Sequence, residues 1–252
     1  MIGRTVAAIV SLAAALPLAG CTSFYEVAVE TPIQARIDVG AFQRVLVAGF
    51  LTAGTQSIDA NTETARLLRS QLRNRQELRV IETDALALVE EMDERLGIAP
   101  PSLDDDAPRF PDAAALKEYE AIFADKEFWM ALGEEFQHPL IVTGTVVFNE
   151  VTRSGVVSRP QSVVNAQGIE EYRTVREYRD MRGYALSPRF IFIDGRTGEQ
   201  LHTESYHEEA LYPATQNTPA LSSYFELMDK VLPSFLNTLS TQKIRGSRVL
   251  LK

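Results

Sequence analysis

The side chains able to do covalent or metal chemistry are few in this 252-residue chain. Its one thiol is Cys21, and its imidazoles are His138, His202 and His207. His202 and His207 differ by an odd number of residues, so on one strand they would point to opposite faces. A zinc site would then have to recruit carboxylates such as Glu204, Glu208 or Glu209; an edge strand with solvated polar residues is the simpler reading. Gly49-Phe50-Leu51-Thr52-Ala53-Gly54 has the G-x4-G spacing of a phosphate loop. Such a loop continues with Lys and then Ser or Thr, because the ammonium holds the β and γ phosphates and the hydroxyl holds magnesium. Here Thr55 and Gln56 follow, and the first lysine is Lys117. There is no G-x-S-x-G elbow, and Ser154-Gly155 sits in loop-like sequence without a nearby histidine. Asp104-Asp105-Asp106 reads as a solvated acidic loop. These observations lead us to expect a non-enzyme with no metal and no catalytic residues.

Two charge patterns fit recognition instead. Arg66, Arg69 and Arg73 recur at helical spacing beside an apolar stripe, with Arg75 and Arg79 just beyond. They could dock an acidic partner, a phosphate-bearing lipid or a glycan, or be the solvated flank of a helix. In the strand-like segment 170–182, Tyr172, Arg176, Tyr178 and Arg182 share one parity. Tyr and Arg are the residue types enriched at protein interfaces, so this row is a candidate partner surface, the alternative being a polar, twisted hairpin face.

The N-terminus explains the lone thiol. Residues 1–20 read MIGRTVAAIVSLAAALPLAG, with Arg4 ahead of an apolar run that closes in small residues, the arrangement of a secretory signal. The run is too short for a comfortable helical span, which takes about 20 apolar residues. Leu18-Ala19-Gly20-Cys21 resembles a bacterial lipobox, the alternatives being an ordinary signal peptide with a chance cysteine or an uncleaved anchor. That resemblance implies cleavage between Gly20 and Cys21, a diacylglycerol on the sulfur and an N-acyl chain on the new amine. Two or three acyl chains anchor firmly, since each buried methylene contributes roughly 0.8 kcal/mol and one chain alone is marginal. Thr22 stands where the inner-membrane retention signal has Asp, which implies the inner leaflet of the outer membrane, facing the periplasm. With Cys21 acylated, no cysteine is left for disulfides.

Composition bounds the rest of the chain. At 45% hydrophobic and 23% charged the chain is globular. Acidic residues outnumber basic ones by 34 to 25, which argues against a nucleic-acid partner. Residues 22–40 read as a tether lying against the domain. Arg44–Phe50 is a valine-rich buried strand, and a helix is predicted from about 61 to 74 behind Asp59 or Asn61 as N-cap. A strand at 78–82 precedes a helix capped by Thr83 and stopped at Gly97. Residues 97–111 are an acidic, proline-rich insertion, and helical turns resume from Asp112 and again from Asp125. Leu140–Phe148 is apolar on both faces, as a central strand should be. Residues 150–170 read as a long polar excursion, followed by strand segments at about 171–180 and 184–194, a tight turn, and an antiparallel return. An amphipathic helix fills about 219–239, with a last short strand over Arg248–Lys252. The expected fold is α/β (α+β): a single mixed, largely antiparallel sheet flanked by helices, over 41–252.

Four segments in this order resemble a family of bacterial envelope lipoproteins that includes the curli secretion channel subunit CsgG, the penicillin-binding-protein activator LpoB and the N-terminal domain of TolB. They are RVLVAGF from Arg44, LRVIETDAL from Leu78, HPLIVTGTV from His138 and FIFIDGRTGEQLHTES from Phe190. One departure is His138-Pro139, where the family often has alanine and aspartate. The resemblance implies binding, activation or assembly: an adaptor or regulatory subunit of an envelope machine, with another envelope protein as partner and self-association open. The alternatives are a self-assembling secretion channel or an envelope hydrolase. A channel needs membrane strands of about 9–11 residues with apolar side chains at alternate positions, and residues 150–170 do not supply them.

Overall fold

The computed structural model describes residues 24–33, 35–75, 78–98, 108–164, 167–240 and 242–251. Cys21 and Gly20, and with them the signal and lipidation readings, lie outside the described residues. The chain divides into two units, Met1–Gln34 with Thr241–Lys252, and Ala35–Ser240.

In the first unit, β1 (Phe24–Ile33) pairs antiparallel with the last strand, β8 (Gln242–Leu251), from Phe24 opposite Leu251 to Ile33 opposite Gln242. Much of the segment expected as a tether is thus a strand, which only a partner 200 residues away in sequence could reveal. Arg245 reaches across the pair to Glu30 at 3.0 Å.

The second unit is a helix–sheet–helix sandwich. Its sheet runs β3-β2-β4-β5-β6, with β7 beside β5. The strands are β2 (Arg44–Gly54), β3 (Arg79–Val80), β4 (Leu140–Val164), β5 (Glu170–Asp194), β6 (Gln200–Ser205) and β7 (Glu208–Pro213). β2 runs parallel to β3 and β4, and β5 runs antiparallel to β4, β6 and β7. The expected mixed sheet flanked by helices is therefore present.

Alternation sends Val45, Val47, Val142, Phe148, Phe190 and Phe192 to one face of this sheet and Leu46, Ala48, Ile141, Ile191 and Ile193 to the other. Helices α1 (Ala60–Arg73) and α4 (Ala220–Leu239) cover the first face with Leu68, Leu72, Tyr224, Leu227, Val231 and Phe235. The second face is covered by α2 (Leu88–Leu96), the 3-10 segment Tyr119–Ala124 and α3 (Lys126–Glu135), which contribute Leu88, Met92, Ile122 and Trp129. Asp59 caps α1 by accepting from Thr62 N at 3.1 Å, and Asp125 caps α3 by accepting from Phe128 N at 3.0 Å.

Among the boundaries that differ from the sequence reading, three bear on the sites below. β2 continues through Gly54, so the G-x4-G segment is strand and not a loop. Its glycines serve close packing. A Cβ on Gly54, where φ is +102°, would lie 2.1 Å from the Phe148 carbonyl oxygen, and one on Gly49 would lie 2.5 Å from that of Leu86. α2 begins at Leu88, five residues after Thr83, because β2 and α1 hold Leu86 extended. Its N–H donates to the Ala48 carbonyl at 2.6 Å, and its own carbonyl accepts from Asn61 Nδ2 at 3.1 Å. The third difference is the largest. Residues expected as a polar excursion are the outer half of a continuous hairpin, β4 and β5 pairing from Leu140 opposite Asp194 to Val164 opposite Glu170.

Candidate partner-binding site

That hairpin changes character along its length. From Leu140 to Phe148 every β4 residue is buried in the sandwich. β2 pairs with β4 only as far as Phe148, and β7 pairs with β5 only between Met181 and Leu186. Beyond these points the two strands continue alone as a ribbon arm.

Strand alternation separates the arm's side chains into two faces. The odd-numbered face carries the charge pairs: Arg153–Glu209 at 2.7 Å, Arg159–Glu177 at 3.3 Å, Arg179–Glu177 at 3.0 Å and Arg173–Glu171 at 3.5 Å. The even-numbered face carries Tyr172, Arg176, Tyr178 and Arg182, the four residues picked out by parity. Opposite them in the register stand Ser162, Ser158, Val156 and Thr152, all short side chains that cannot cover an aromatic ring or a guanidinium. Tyr172 is 76% exposed, Tyr178 65% and Val156 64%. The row runs inward to Tyr184, whose ring stacks on the buried Phe148 at 4.9 Å and whose hydroxyl burial pushes up in pKa. At the root is a cleft of about 400 Å³, lined by Glu150, Thr152, Arg182, Tyr184, Tyr212 and Thr218 among others. The Thr218 hydroxyl is buried there without a hydrogen-bond partner. The arm thus presents a row of rings and cations, interrupted by Asp180, with short cross-strand neighbours, rooted in the packed core.

The arginines of α1 are placed differently. Arg66 donates to Glu63 from Nε at 3.1 Å and lies over the Phe225 ring at 5.8 Å. Arg73 pairs with Glu82 at 2.7 Å. Arg69 is half-buried and donates to the Val47 carbonyl at 3.3 Å; burial pushes its guanidinium below its ordinary value. Each has a partner within the chain, and they do not join the arm's row.

The histidines are also dispersed. His202 lies on β6 with Nε2 3.7 Å from Glu204, whereas His207 sits between β6 and β7 and contacts Ser187 at 2.8 Å. His138 occupies the turn between α3 and β4, near the Gly195 carbonyl. Among the described residues, no three His, Cys, Asp or Glu side chains are grouped to hold a metal ion.

Sequence reasoning missed two polar clusters. Asp93 on α2 accepts two hydrogen bonds from Arg109, at 2.7 and 2.5 Å, and one from the Tyr119 hydroxyl at 2.7 Å. The hydrogen bonds from Arg109 hold the Asp93 carboxyl below the usual carboxylate range despite its burial. Glu204 accepts from Thr238, Tyr206 and Arg36. Burial raises its pKa, but those donors outweigh it and leave the carboxyl lowered. Both clusters span distant segments, and neither contains a local motif. The β4 side of the arm was missed because Gly155 and Pro160 read as loop signals; Val151, Thr152, Val156, Val157, Val163 and Val164 were the β-prone signal present.

No protein-family model matches the chain, and no curated protein matches it. Among solved structures, the LpoB C-terminal domain from Salmonella enterica is similar with a TM-score of 0.33 and 10% identity, covering 68% of this chain and 84% of that one. Lipoprotein GNA1162 from Neisseria meningitidis is similar with a TM-score of 0.31 and 15% identity, covering 77% of this chain and 98% of that one. LpoB is one of the proteins that the sequence motifs resemble. Likenesses at these scores carry no argument about function, which rests on the geometry of the arm.

Proposed function

We propose that this chain is an outer-membrane lipoprotein, anchored through the acyl chains of Cys21 and facing the periplasm, that acts as a non-catalytic adaptor for a second envelope protein. The observation that carries the reading is the arm. Exposed tyrosine rings, with few side-chain torsions to fix, offer contact area with little rotamer entropy to lose. The adjacent guanidiniums supply bidentate donors for a partner's carboxylates or carbonyls. A catalyst would call for reacting groups converging in a cleft, and the arm offers an extended face instead.

A channel-forming role, as for the curli secretion subunit, gains one supporting observation: a long hairpin occupies the region where membrane strands would be needed. Its side chains argue the other way. Arg153, Arg159, Arg173 and Arg179 line one face and Arg176 and Arg182 the other, and each cation facing lipid at midplane would cost about 2–4 kcal/mol.

The test is photo-crosslinking in intact cells from the arm's even-numbered face, comparing the native face with the variant Tyr172→Ala, Arg176→Glu, Tyr178→Ala, Arg182→Glu. For that comparison the crosslinker is placed at Val156, which shares the face. A distinct envelope protein captured by the native face and lost in the variant is the expected result. Equal capture by both would remove the arm from the proposal, and capture of this chain alone as a discrete ring would favour the channel.

A further inference from the structure

We propose that the β1–β8 ribbon is a second membrane contact, with its Phe24–Leu251 end seated in the headgroup layer of an anionic lipid surface. The lipid-anchor reading of Cys21 supplies the ribbon's position; its register and charge supply what it meets.

Cys21 precedes Phe24 by three residues, and three residues span at most about 11 Å when fully extended. An acylated Cys21 therefore holds the start of β1 close to the headgroups. The register brings the end of β8 to the same place, with Leu251 opposite Phe24, Leu250 opposite Tyr25 and Val249 opposite Glu26. The register thus sets Phe24 and Tyr25 of β1 against Leu251 and Leu250 of β8 at the end nearest the anchor, with Arg248 opposite Val27. Aromatic residues mixed with Arg or Lys are the composition of a membrane–water interface. Val249 is 63% exposed, and Arg248 is exposed beside it.

Charge separates this unit from the rest of the chain. Residues 241–252 hold Lys243, Arg245, Arg248 and Lys252, and residues 21–34 hold only Glu26 and Glu30 as charged side chains. Residues 35–240 hold 32 acidic and 20 basic side chains. The ribbon is the basic piece of an acidic protein, and basic groups near an anionic leaflet are attracted within about a Debye length of it. A ribbon of two strands is also marginal in water on its own. None of its described side chains is buried, so a surface that orders one end supplies what the ribbon lacks.

The test uses Val249→Cys, labelled with bimane on the full acylated chain, in which Cys21 carries lipid and leaves position 249 as the free thiol. The vesicles contain phosphatidylglycerol and a lipid with a headgroup nitroxide. Quenching at 249 should exceed that at a Val156→Cys control by about threefold or more, and Arg248→Glu should cut it by at least about half. Equal quenching at the two positions, on protein whose Cys21 acylation is verified by mass spectrometry, overturns the proposal. An unacylated Cys21 in that mass measurement would instead overturn the anchor reading. The ribbon is then read on the Cys21→Ser mature chain, titrated with phosphatidylglycerol and phosphatidylcholine vesicles. A bimane response to the first alone, reversed by about 0.5 M salt, supports the lipid contact; a response to neither overturns it. A bimane emission shift that grows with protein concentration without vesicles assigns the ribbon to a second copy of the chain, and also overturns it.

Discussion

Asp93 shows what a single residue contributes here that no local pattern announces. The residue is 6% exposed, and its carboxylate is satisfied by Arg109, near the end of the proline-rich insertion, and by Tyr119 beyond it. Removing one partner of a buried pair leaves an uncompensated charge, so Asp93→Asn should cost about 3 kcal/mol in urea unfolding. The pH dependence has a definite sign. Asp93 is depressed in the folded state, so its contribution is fully present above the unfolded value of about 3.9 and is lost as pH falls through the lower folded value. Stability measured by urea titration from pH 5 to pH 2 should fall less steeply in Asp93→Asn than in the native protein. Gly54 is the second such residue. Gly54→Ala combines a positive φ with a Cβ against the Phe148 carbonyl, and should destabilise by at least about 2 kcal/mol on the same measure. Sequence alone marked Gly54 as part of a weak phosphate-loop pattern; the parallel neighbour β4 gives it its actual role.

Among the elements, helices were the most legible and paired strands the least. Tyr224, Leu227, Val231 and Phe235 recur at helical spacing, and α4 runs Ala220–Leu239 almost as expected. Its buried Tyr224 hydroxyl meets the Thr64 hydroxyl of α1 at 2.5 Å, a contact the periodicity could not foresee. The central segment of β4 was equally plain because both its faces are apolar. The arm was half legible: parity on 170–182 placed Tyr172, Arg176, Tyr178 and Arg182 on one face, while the strand that completes the hairpin carried Gly and Pro and no apolar alternation. Because the arm beyond β7 buries little, its removal should be nearly neutral. Excising Ser154–Asp180 and joining Arg153 to Met181 through Asn-Gly, a favoured two-residue hairpin turn, should move the Tm by no more than about 4 °C. The same variant should also lose the partner in co-purification from detergent-solubilised cells. A large fall in Tm would mean that the arm is structural and not a docking element.

By charge, residues 35–240 are an acidic sandwich, and the unit that holds β1 and β8 is basic. All the described buried side chains of both cores lie between Ile37 and Leu239. Residues 35–240 expressed alone should therefore unfold cooperatively, with a Tm within about 5 °C of the mature protein by calorimetry. In cells, Cys21→Ala should abolish lipid labelling and release the protein from the membrane fraction; a labelled, membrane-bound mutant would refute the lipobox reading. The sequence by itself determined the α/β class, the limits of α1 and α4 and the buried core of the sheet. Those are local consequences of burial, written into residue spacing at periods of 3.6 and 2. Only the tertiary structure decided the register that nearly triples the length of β4, the pairing of β1 with β8, and the Asp93–Arg109 and Glu204 clusters. Each of those depends on which distant segments meet, and hydrogen bonding between two backbones leaves little trace in the side chains of either one.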